Sequence, residues 1–323
     1  MRFRRRHRAH YGGQVTAAFL CLLGLFVSAK AQTSPQNSPD PVTFVAWNLK
    51  NYLAMERRVD GEVVSDAPKP EKEIEVLVAA IVEAKPDILG VCEIGDAAYL
   101  ADLQKRLKAK GLELPHTELV ISADGWNRNL ALLSRFPIVS RDPQTDLTYL
   151  IGQTRFPIQR GILDVTLAIN DSYRLRCLGL HLKSKREIPE ADQAEMRRNE
   201  AHLIREHLDS IMATEPGTNL IVYGDFNDTP NEIPIRTIRG RFGSDDYLTD
   251  LRPNDRFGFR WTHYWSVADT YARLDYTLVS KGLLPEVDRD SASILHPEDW
   301  ETASDHRGLR FQFTPKDLSK SKK

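Results

Sequence analysis

The sequence predicts a mixed α/β sandwich, and three observations support that fold class. Short apolar runs separated by turn residues recur along the chain, so predicted strands outnumber predicted helices. Two longer segments have apolar residues at three- and four-residue spacing, which is typical of amphipathic helices. Several strands follow one another with no helix between them, which favours a sandwich over a fully alternating parallel sheet.

The predicted strands are rich in β-branched or alternating apolar residues, which fit a pleated sheet. Turn-forming residues lie near the ends of most of them, so each strand is expected to be short. In chain order the strands are Val42–Trp47, Ile88–Cys92, Leu130–Ser134, Ile162–Ile169, Arg174–Leu180, Asn219–Tyr223, Tyr276–Val279 and Leu309–Phe313.

The helices are predicted from apolar periodicity. The first, Glu71–Ala84, carries its apolar residues on one side and is followed by Pro86, which cannot continue a helix. The second, Glu190–Met212, is longer and has its charged residues away from the apolar side. The stretch Arg57–Lys69, before the first helix, is polar and contains glycine and proline, so we expect a surface loop there.

The first 31 residues have the layout of a secretory signal peptide. Arginines near the start precede a short apolar stretch, Val15–Val27, and Ala29-Lys30-Ala31 supplies a cleavage site of the small-x-small type. The apolar stretch is shorter than the roughly 20 residues that a membrane-spanning helix needs. We therefore expect removal after Ala31, no stable membrane anchor afterwards, and a secreted or periplasmic protein.

Beyond residue 31 the chain divides into a polar linker (32–41), one domain (42–314) and a lysine-rich tail (315–323). The whole chain has 44 basic and 45 acidic residues, but six of the basic residues and none of the acidic ones lie in the first 31. The remainder has 38 basic and 45 acidic residues, hence a net charge of −7. This balance argues against a general nucleic-acid coat protein but is compatible with an enzyme that has a local basic groove.

Two cysteines, Cys92 and Cys177, lie beyond the signal segment, where an oxidising compartment would allow a disulfide. Strand alternation places Cys177 on the face of His181, and places Cys92 on the face opposite Glu93. If the side chains of Glu93 and His181 meet at one site, the two thiols point to faces that do not meet. We therefore expect two buried free cysteines and no disulfide.

Polar residues stand where the predicted strands begin or end, which is where layered α/β proteins gather their chemistry. Each one alone is compatible with ordinary turn chemistry. Together they form an oxygen-rich set that suits a hard cation such as Mg²⁺, with no Cys/His spacing for zinc, and an Asp with a His can form an acid–base pair. The residues are Asn48, Glu93, His181, Asp225, Asn227, Asp275, Asp305 and His306.

The strings that contain these residues resemble those of the endonuclease/exonuclease/phosphatase superfamily, which has the DNase I-like fold. They occur in the family's order, and the resemblance covers about Val42 to Phe313. It implies a four-layer α/β/β/α sandwich of two packed mixed β-sheets, with helices outside and the site at one edge. The strings are Trp47-Asn48-Leu49, Val91-Cys92-Glu93, His181-Leu182-Lys183-Ser184, Gly224-Asp225-Phe226-Asn227, Arg273-Leu274-Asp275-Tyr276 and Ser304-Asp305-His306.

The resemblance also implies which residues hold the metal and which activate water. Glu93 would be the principal Mg²⁺ ligand, with Asn48 beside it and Asp305 as a further carboxylate on the metal side. Mn²⁺ or Ca²⁺ are expected substitutes for Mg²⁺. His306, held by Asp275, would activate the attacking water.

The remaining roles concern the substrate phosphate. By resemblance, Asp225 and Asn227 orient the nucleophile and the scissile phosphate, and His181 contacts the phosphate, as in the DNase I and sphingomyelinase branches. Arg160 stands just before a strand, where DNase I-like proteins often place a phosphate-binding arginine, but the usual proline after it is absent. An ordinary surface arginine is therefore the alternative. The basic residues after His181 either meet further phosphates or form a solvated loop.

The implied activity is Mg²⁺-dependent phosphoester hydrolysis, and fold alone does not select the substrate. The inositol-phosphatase branch usually has Asn-Tyr-Arg after the Gly-Asp pair, which this chain lacks. Secretion and the two-histidine pattern favour an extracellular or periplasmic nuclease that cleaves DNA or RNA. We expect the protein to be a monomer.

Two alternatives stay open. One is a phosphodiesterase or phosphatase acting on a lipid, as sphingomyelinases do, or on a small-molecule phosphoester. A sphingomyelinase should present an exposed aromatic hairpin, and we find no paired-aromatic hairpin, although Tyr264-Trp265 is a candidate. The other is a catalytically inactive binding module, which would require the loss of a catalytic residue, and none is missing.

Overall fold

The computed structural model describes residues 39–317, apart from residues 124 and 126. The predicted signal peptide, residues 32–38 of the linker and residues 318–323 of the tail lie outside this part of the chain. No helix in the described part combines the length and the apolar character needed to cross a membrane. The helices there are α1 (Glu71–Ala84), α2 (Ala97–Ala109), α3 (Gln193–Thr214), α4 (Ile233–Arg239) and α5 (Trp300–Ala303), with a short 3-10 helix at Leu284–Glu286.

Strands make up most of the regular structure in the described part, and all of the predicted strands are present with ends shifted by a few residues. Most of the strands that were not predicted are short. The full set has eighteen strands in the described part of the chain. In chain order they are β1 (Val42–Tyr52), β2 (Met55–Val59), β3 (Glu62–Ala67), β4 (Ile88–Ile94), β5 (His116–Val120), β6 (Asn129–Ser134), β7 (Ile138–Arg141), β8 (Thr148–Ile151), β9 (Thr154–Pro157), β10 (Leu163–Ala168), β11 (Arg174–His181), β12 (Leu220–Asp225), β13 (Thr249–Asp250), β14 (His263–Trp265), β15 (Thr270–Ala272), β16 (Asp275–Val279), β17 (Val287–Ile294) and β18 (Leu309–Phe313).

Twelve of these strands form two mixed sheets. Sheet 1 has the order β17-β18-β1-β4-β6-β5, and sheet 2 has the order β13-β16-β12-β11-β10-β7. The pairs β1–β4 and β11–β12 are parallel, whereas the other pairs within the two sheets are antiparallel. The hairpins β2–β3, β8–β9 and β14–β15 lie outside both sheets.

Side chains alternate along the strands, so each sheet has two apolar faces and the molecule has three apolar layers. Between the sheets, Phe44 and Phe311 of sheet 1 pack in one cluster with Tyr223 of sheet 2. The other face of sheet 1 packs against α1 and α2, and the other face of sheet 2 packs against α3 and α4. Burial of each large apolar side chain contributes about 1.5–3 kcal/mol. This arrangement confirms the predicted α/β/β/α sandwich.

The two sheets approach closely around Tyr223, which is fully buried. A Cβ at Gly90 of β4 would lie 2.1 Å from the ring of Tyr223, and a Cβ at Gly179 of β11 would lie 2.7 Å from its hydroxyl oxygen. Only glycine leaves room for the ring at these positions. Tyr223 precedes Asp225 by two residues, so this packing fixes the strand end that carries a predicted site residue.

Two predictions about local structure need correction. The stretch Arg57–Lys69 is not a loop, because most of it belongs to the hairpin β2–β3. Its turn, Asp60-Gly61, has positive φ at both residues, which is the geometry that tight hairpins prefer. The second predicted helix begins at Gln193 rather than Glu190, because the Asp192 side chain accepts the Glu195 N–H and caps the helix there.

Cys92 and Cys177 are both buried and free, as predicted, and burial raises the pKa of each thiol. The argument from strand faces is wrong, however, since both residues belong to the cluster between the sheets. The alternation fails because the pairing of β4 shifts register between Cys92 and Ile94, and Glu93 has a φ of 61°. Glu93 therefore does not follow the alternation of the strand.

Candidate active site

Sheet register brings three of the predicted site residues side by side. Asp225 ends β12 and lies opposite His181 in the parallel pair β11–β12 and opposite Asp275 in the antiparallel pair β12–β16. Neighbouring strands are about 4.8 Å apart, so these residues meet at one edge of sheet 2. Sheet 1 supplies Asn48 from β1 and Glu93 from the adjacent strand β4.

His306 is held through its ring and through its backbone. Its Nδ1 is 2.8 Å from Asp275 Oδ2, its N–H donates to Ser304 Oγ at 3.0 Å, and its carbonyl accepts the Trp47 indole N–H at 2.9 Å. The backbone N–H of Asp275 in turn donates to Thr262 Oγ1 at 3.0 Å. Ser304 and Thr262 are fully buried, so the His306–Asp275 pair is oriented by the fold itself. The carboxylate at Nδ1 leaves Nε2 as the reactive nitrogen.

The charges around His306 favour its protonated form. Burial lowers its pKa, but the carboxylates of Asp275 and Asp225 outweigh burial and raise the pKa well above its usual value of 6.5. His306 Nε2 is 3.7 Å from Asp225 Oδ2. Burial raises the pKa of Asp225 to about 7, with His306 lowering it and Asp275 raising it. Ligand atoms of these three residues lie within 4.8 Å of one another, so the group also fits a metal ion.

His181 lies on the other side of Asp225 in different surroundings. Its Nε2 is 3.6 Å from Asp225 Oδ2 and 3.9 Å from Glu93 Oε1. Burial, followed by the positive charges of Arg160 and His306, lowers the pKa of His181 well below 6.5. Its buried Nδ1 has no hydrogen-bond partner among the described residues. The lowered pKa favours the neutral imidazole, and a proton on Nε2 would face the two carboxylates.

Glu93, the predicted principal metal ligand, is turned toward the cleft by its backbone. Its φ of 61° lies in the left-handed region, which side chains with a Cβ rarely adopt. Its Oε2 accepts the backbone N–H of Asn51 at 2.9 Å, and 16% of the side chain is exposed. A fixed carboxylate with an open side is the kind of ligand that Mg²⁺ binds.

The other two predicted metal ligands differ in their placement. Asp305 lines the cleft together with Glu93. Asn48 is buried. Its amide nitrogen donates to Asp225 Oδ2 at 3.1 Å, and its Oδ1 accepts the Lys50 N–H at 3.0 Å. The oxygen donors of Glu93 and Asp305 fit a hard divalent cation.

The two remaining predicted residues also line the cleft, which has a volume of about 550 Å³. Arg160 is only 7% exposed and donates to Gln159 Oε1, so the alternative of an ordinary surface arginine is wrong. Asn227 donates its backbone N–H to Asp225 Oδ1 at 2.9 Å and one amide hydrogen to the Leu182 carbonyl at 3.0 Å. Asn227 therefore joins two strand ends and keeps a second amide hydrogen for other contacts.

Four basic residues, called the basic wall below, also line the cleft, and Glu187 and Glu190 line it with them. Arg128, Arg160 and Arg186 line this wall, together with Lys183. Lys183 is buried, and its Nζ donates to the Arg186 carbonyl at 2.8 Å, so it is not part of a solvated loop. The wall is anchored by Glu200, whose carboxylate accepts the Lys183 N–H at 2.7 Å.

Three positioning residues and one histidine that contacts His306 were not predicted. Thr262 and Ser304 orient the Asp275–His306 pair, and Glu200 fixes the basic wall from the middle of α3. The ring of His263 lies 4.6 Å from that of His306, and burial lowers the pKa of His263. Ser304 had a signal in the sequence, because it stands within the string that contains His306. Glu200 also had one, because it lies four residues from both Met196 and Ile204 on the buried side of α3.

The hairpin β14–β15 adjoins the site and carries exposed aromatic side chains. His263 begins the hairpin beside His306, and the rings of Tyr264 and Tyr271 stack 4.5 Å apart. Trp265 is 54% exposed and Tyr271 is 53% exposed. The expectation that the chain lacks a paired-aromatic hairpin is therefore wrong.

Solved structures with the same fold have low sequence identity to this chain. An endonuclease/exonuclease/phosphatase family protein from Leptotrichia buccalis has a TM-score of 0.57 at 18% identity, covering 84% of this chain and 99% of that protein. Truncated TDP2 from Caenorhabditis elegans has a TM-score of 0.56 at 16% identity, covering 85% and 98%. Sphingomyelinase C from Streptomyces griseocarneus has a TM-score of 0.53 at 16% identity, covering 85% and 99%. These likenesses show the DNase I-like fold.

Sequence comparison gives the family. No curated protein matches the chain. The model of the Endonuclease/Exonuclease/phosphatase family matches residues 45–306, which include every predicted site residue. The chain therefore belongs to the endonuclease/exonuclease/phosphatase family, whose members are metal-dependent phosphoesterases.

Proposed function

We propose that this protein is a secreted, Mg²⁺-dependent phosphodiester hydrolase and that its substrate is DNA or RNA. The observation that carries the proposal is the division of the cleft into an acid–base side, with His306 and Asp275, and a basic wall that includes Arg128 and Arg160. A nucleic-acid strand brings repeated negative charge, which a local basic wall attracts even when the net charge of the protein is negative. Secretion rests on the N-terminal sequence pattern.

His306 would act as the base that activates water. Its Nε2 takes a proton from the water whose oxygen attacks phosphorus. The P–O bond to the leaving group breaks, and the leaving oxygen keeps the bonding electrons and takes up a proton from solvent. Only the neutral form of His306 can take this proton, so its raised pKa predicts a rate that increases with pH as the imidazolium loses its proton. The Asp275 carboxylate stabilises the imidazolium that forms during attack. Asp225, 3.7 Å from the same nitrogen, would hold the water in line.

The basic side would bind the phosphate. Neutral His181 can donate from Nε2 to a phosphate oxygen, and Arg160 can offer its guanidinium to the charge that builds up during attack. Asn227 would contribute its second amide hydrogen. These groups are fixed by the fold before the substrate arrives, so little reorganisation is needed.

Glu93 and Asp305 would hold the metal ion, with Asn48 fixing Asp225 behind them. Mg²⁺ bound there supplies positive charge that neutralises the phosphate oxygens, and Mn²⁺ or Ca²⁺ would be substitutes. Activation of the water and binding of the phosphate depend on the protein's own side chains.

The test is nicking of supercoiled plasmid by the chain from Gln32 onward, in Mg²⁺ and in EDTA. We expect metal-dependent nicking that disappears in the Asp225→Ala/His306→Ala variant, which controls for a contaminating nuclease. Intact plasmid and intact RNA, with folded and metal-loaded protein, would overturn the nuclease proposal.

The exposed hairpin β14–β15 favours a second candidate, a phosphodiesterase acting on lipid. Trp265 and Tyr271 project beside the site, where they could enter a bilayer surface. Sedimentation with vesicles that contain sphingomyelin, followed by assay of released phosphocholine, separates this candidate from the nuclease. Release that depends on Trp265 would favour the lipid substrate.

A further inference from the structure

A second basic pocket lies beside the catalytic edge and outside the cleft. It has a volume of about 390 Å³. Among the described residues, no acidic side chain lines it. Its lining side chains include four arginines, Arg239, Arg252, Arg260 and Arg273, together with Trp261 and Asn231.

The positive charge of this pocket exceeds the negative charge that the protein supplies. Arg273 is buried and forms a two-pronged pair with Asp250, at 3.0 and 2.5 Å. Arg252 shares the same carboxylate at 3.8 Å. The other two arginines have neutral partners, since Arg260 donates to Asn254 Oδ1 and Arg239 bonds to a tyrosine hydroxyl. The carboxylate of Asp250 therefore pairs with two of the four guanidinium groups, and the other two have neutral partners.

The arginine network of this pocket lacks acceptors that an anion could supply. The buried Nε atoms of Arg239 and Arg273 have no hydrogen-bond partner among the described residues, so the network is incomplete. Arg252 has a φ of 50°, a conformation uncommon for a long side chain, and the carboxylate of Asp250 accepts its backbone N–H at 3.0 Å. Arginines that line one pocket supply the positive charge and the planar hydrogen-bond donors that suit a phosphate group.

The pocket is close to the reacting groups along the chain. Arg273 precedes Asp275 by two residues, and Trp261 precedes His263 by two residues. Consecutive Cα atoms are 3.8 Å apart, so each pair of Cα atoms is separated by no more than about 7 Å. A substrate that reaches from the cleft over this edge would bring a second charged group to the pocket.

We infer that this arginine pocket binds a phosphate group of the substrate other than the one that is cleaved. The inference rests on the proposed function and narrows it, because the substrate must then carry at least two phosphate groups, as an oligonucleotide does. A choline lipid has one phosphodiester and a cationic headgroup, which four arginines would repel. The pocket therefore favours nucleic acid over the lipid candidate.

The experiment measures binding and chemistry separately. Binding of a fluorescein-labelled 12-nucleotide oligothymidylate is measured by anisotropy in EDTA, where no cleavage occurs. The variant is Arg252→Gln/Arg260→Gln, because both side chains are exposed and their removal spares the core. We expect Kd to rise about tenfold, and the slope of log Kd against log salt to fall by about 0.7 for each phosphate that the variant no longer neutralises. Turnover of bis(p-nitrophenyl) phosphate, which has one phosphate, should stay within twofold of the wild type.

Arg256→Gln/Arg289→Gln is the matched control, since it removes the same charge from exposed arginines outside the pocket. An equal loss of binding in this control would show a general charge effect and overturn the inference. A pocket variant that binds as the wild type does, or that loses bis(p-nitrophenyl) phosphate turnover as well, would also overturn it. Failure of the nuclease proposal has a different signature: the wild-type chain binds the oligonucleotide through the pocket but does not cleave it in Mg²⁺.

Discussion

His306 and His181 flank the same carboxylate at nearly the same distance, yet their environments shift their pKa values in opposite directions. Their Nε2 atoms lie 3.7 and 3.6 Å from Asp225 Oδ2, and both rings are buried. His306 has Asp275 on its second nitrogen, whereas the second nitrogen of His181 has no partner among the described residues. Burial lowers both pKa values, so the neighbouring charges decide the outcome.

This contrast indicates that the group next to Nδ1 determines whether each imidazole serves as a base or as a hydrogen-bond donor. An imidazole backed by a carboxylate can accept a proton and remain charged, so it suits a base. An imidazole near Arg160 and without such a backing stays neutral, so it suits a hydrogen-bond donor to an anion. The predictions below test whether the two histidines have these separate roles.

The largest expected effect comes from removing the base. His306→Asn should lower kcat for bis(p-nitrophenyl) phosphate by about 10³-fold or more, equivalent to about 4 kcal/mol of transition-state stabilisation. His181→Asn should cost about 10–100-fold, because the loss of one donor leaves the base in place. Equal losses in the two variants, with both folded by circular dichroism, would contradict the division of roles.

The next effect concerns metal affinity. Glu93→Gln should raise the Mg²⁺ concentration needed for half-maximal rate by at least about tenfold, because a neutral amide replaces the carboxylate that best fits a cation. EDTA should abolish activity of the wild-type chain. Glu83→Gln, an acidic residue on α1 outside the cleft, is the control and should leave the Mg²⁺ dependence unchanged. A Mg²⁺ dependence in Glu93→Gln that equals that of the wild type would exclude Glu93 as the main ligand.

Titration of the metal-free chain tests the contrast directly. By NMR, His306 should titrate above pH 6.5, whereas His181 should titrate only well below pH 6.5. Because its folded pKa is raised, His306 contributes stability below pH 6.5 that is lost as the pH rises through its folded pKa. The pKa of His181 is lower in the folded protein than in the unfolded chain. As the pH falls from 6.5 toward the folded pKa, only the unfolded chain takes up a proton at His181, so the folded protein loses stability. Two histidines that titrate together would refute the electrostatic assignment.

Much of this arrangement could be predicted from the sequence, because strand ends bring residues together by register. His181, Asp225 and Asp275 are neighbours in sheet 2, and each stands at the end of a recognisable apolar run. The hairpin β2–β3 was also signalled, by Asp60-Gly61, but the polar composition of its strands obscured that signal.

Other features depend on interactions between distant parts of the chain, which no local pattern encodes. Thr262 is an ordinary threonine until folding places it on the backbone of Asp275. Glu200 has the spacing of the buried side of α3, but its charge gave no reason to expect burial until folding brought the Lys183 N–H to it. The positive φ of Glu93 is likewise a product of the register shift in β4, and it overturned the argument from strand alternation.

The smallest expected effect concerns Arg160, whose charge adds to burial in lowering the pKa of His181. Arg160→Gln should raise KM by several-fold and leave kcat within about threefold, since the variant binds the phosphate less tightly while His306 and Asp275 are untouched. The same substitution removes a positive charge that lowers the pKa of His181, so the NMR titration of His181 should move toward its usual value. Arg155→Gln is the matched control, because Arg155 is exposed on β9 and outside the cleft. A changed KM without any movement of the His181 titration would mean that Arg160 binds phosphate but does not set the charge of His181, and the contrast between the two histidines would then rest on Asp275 alone.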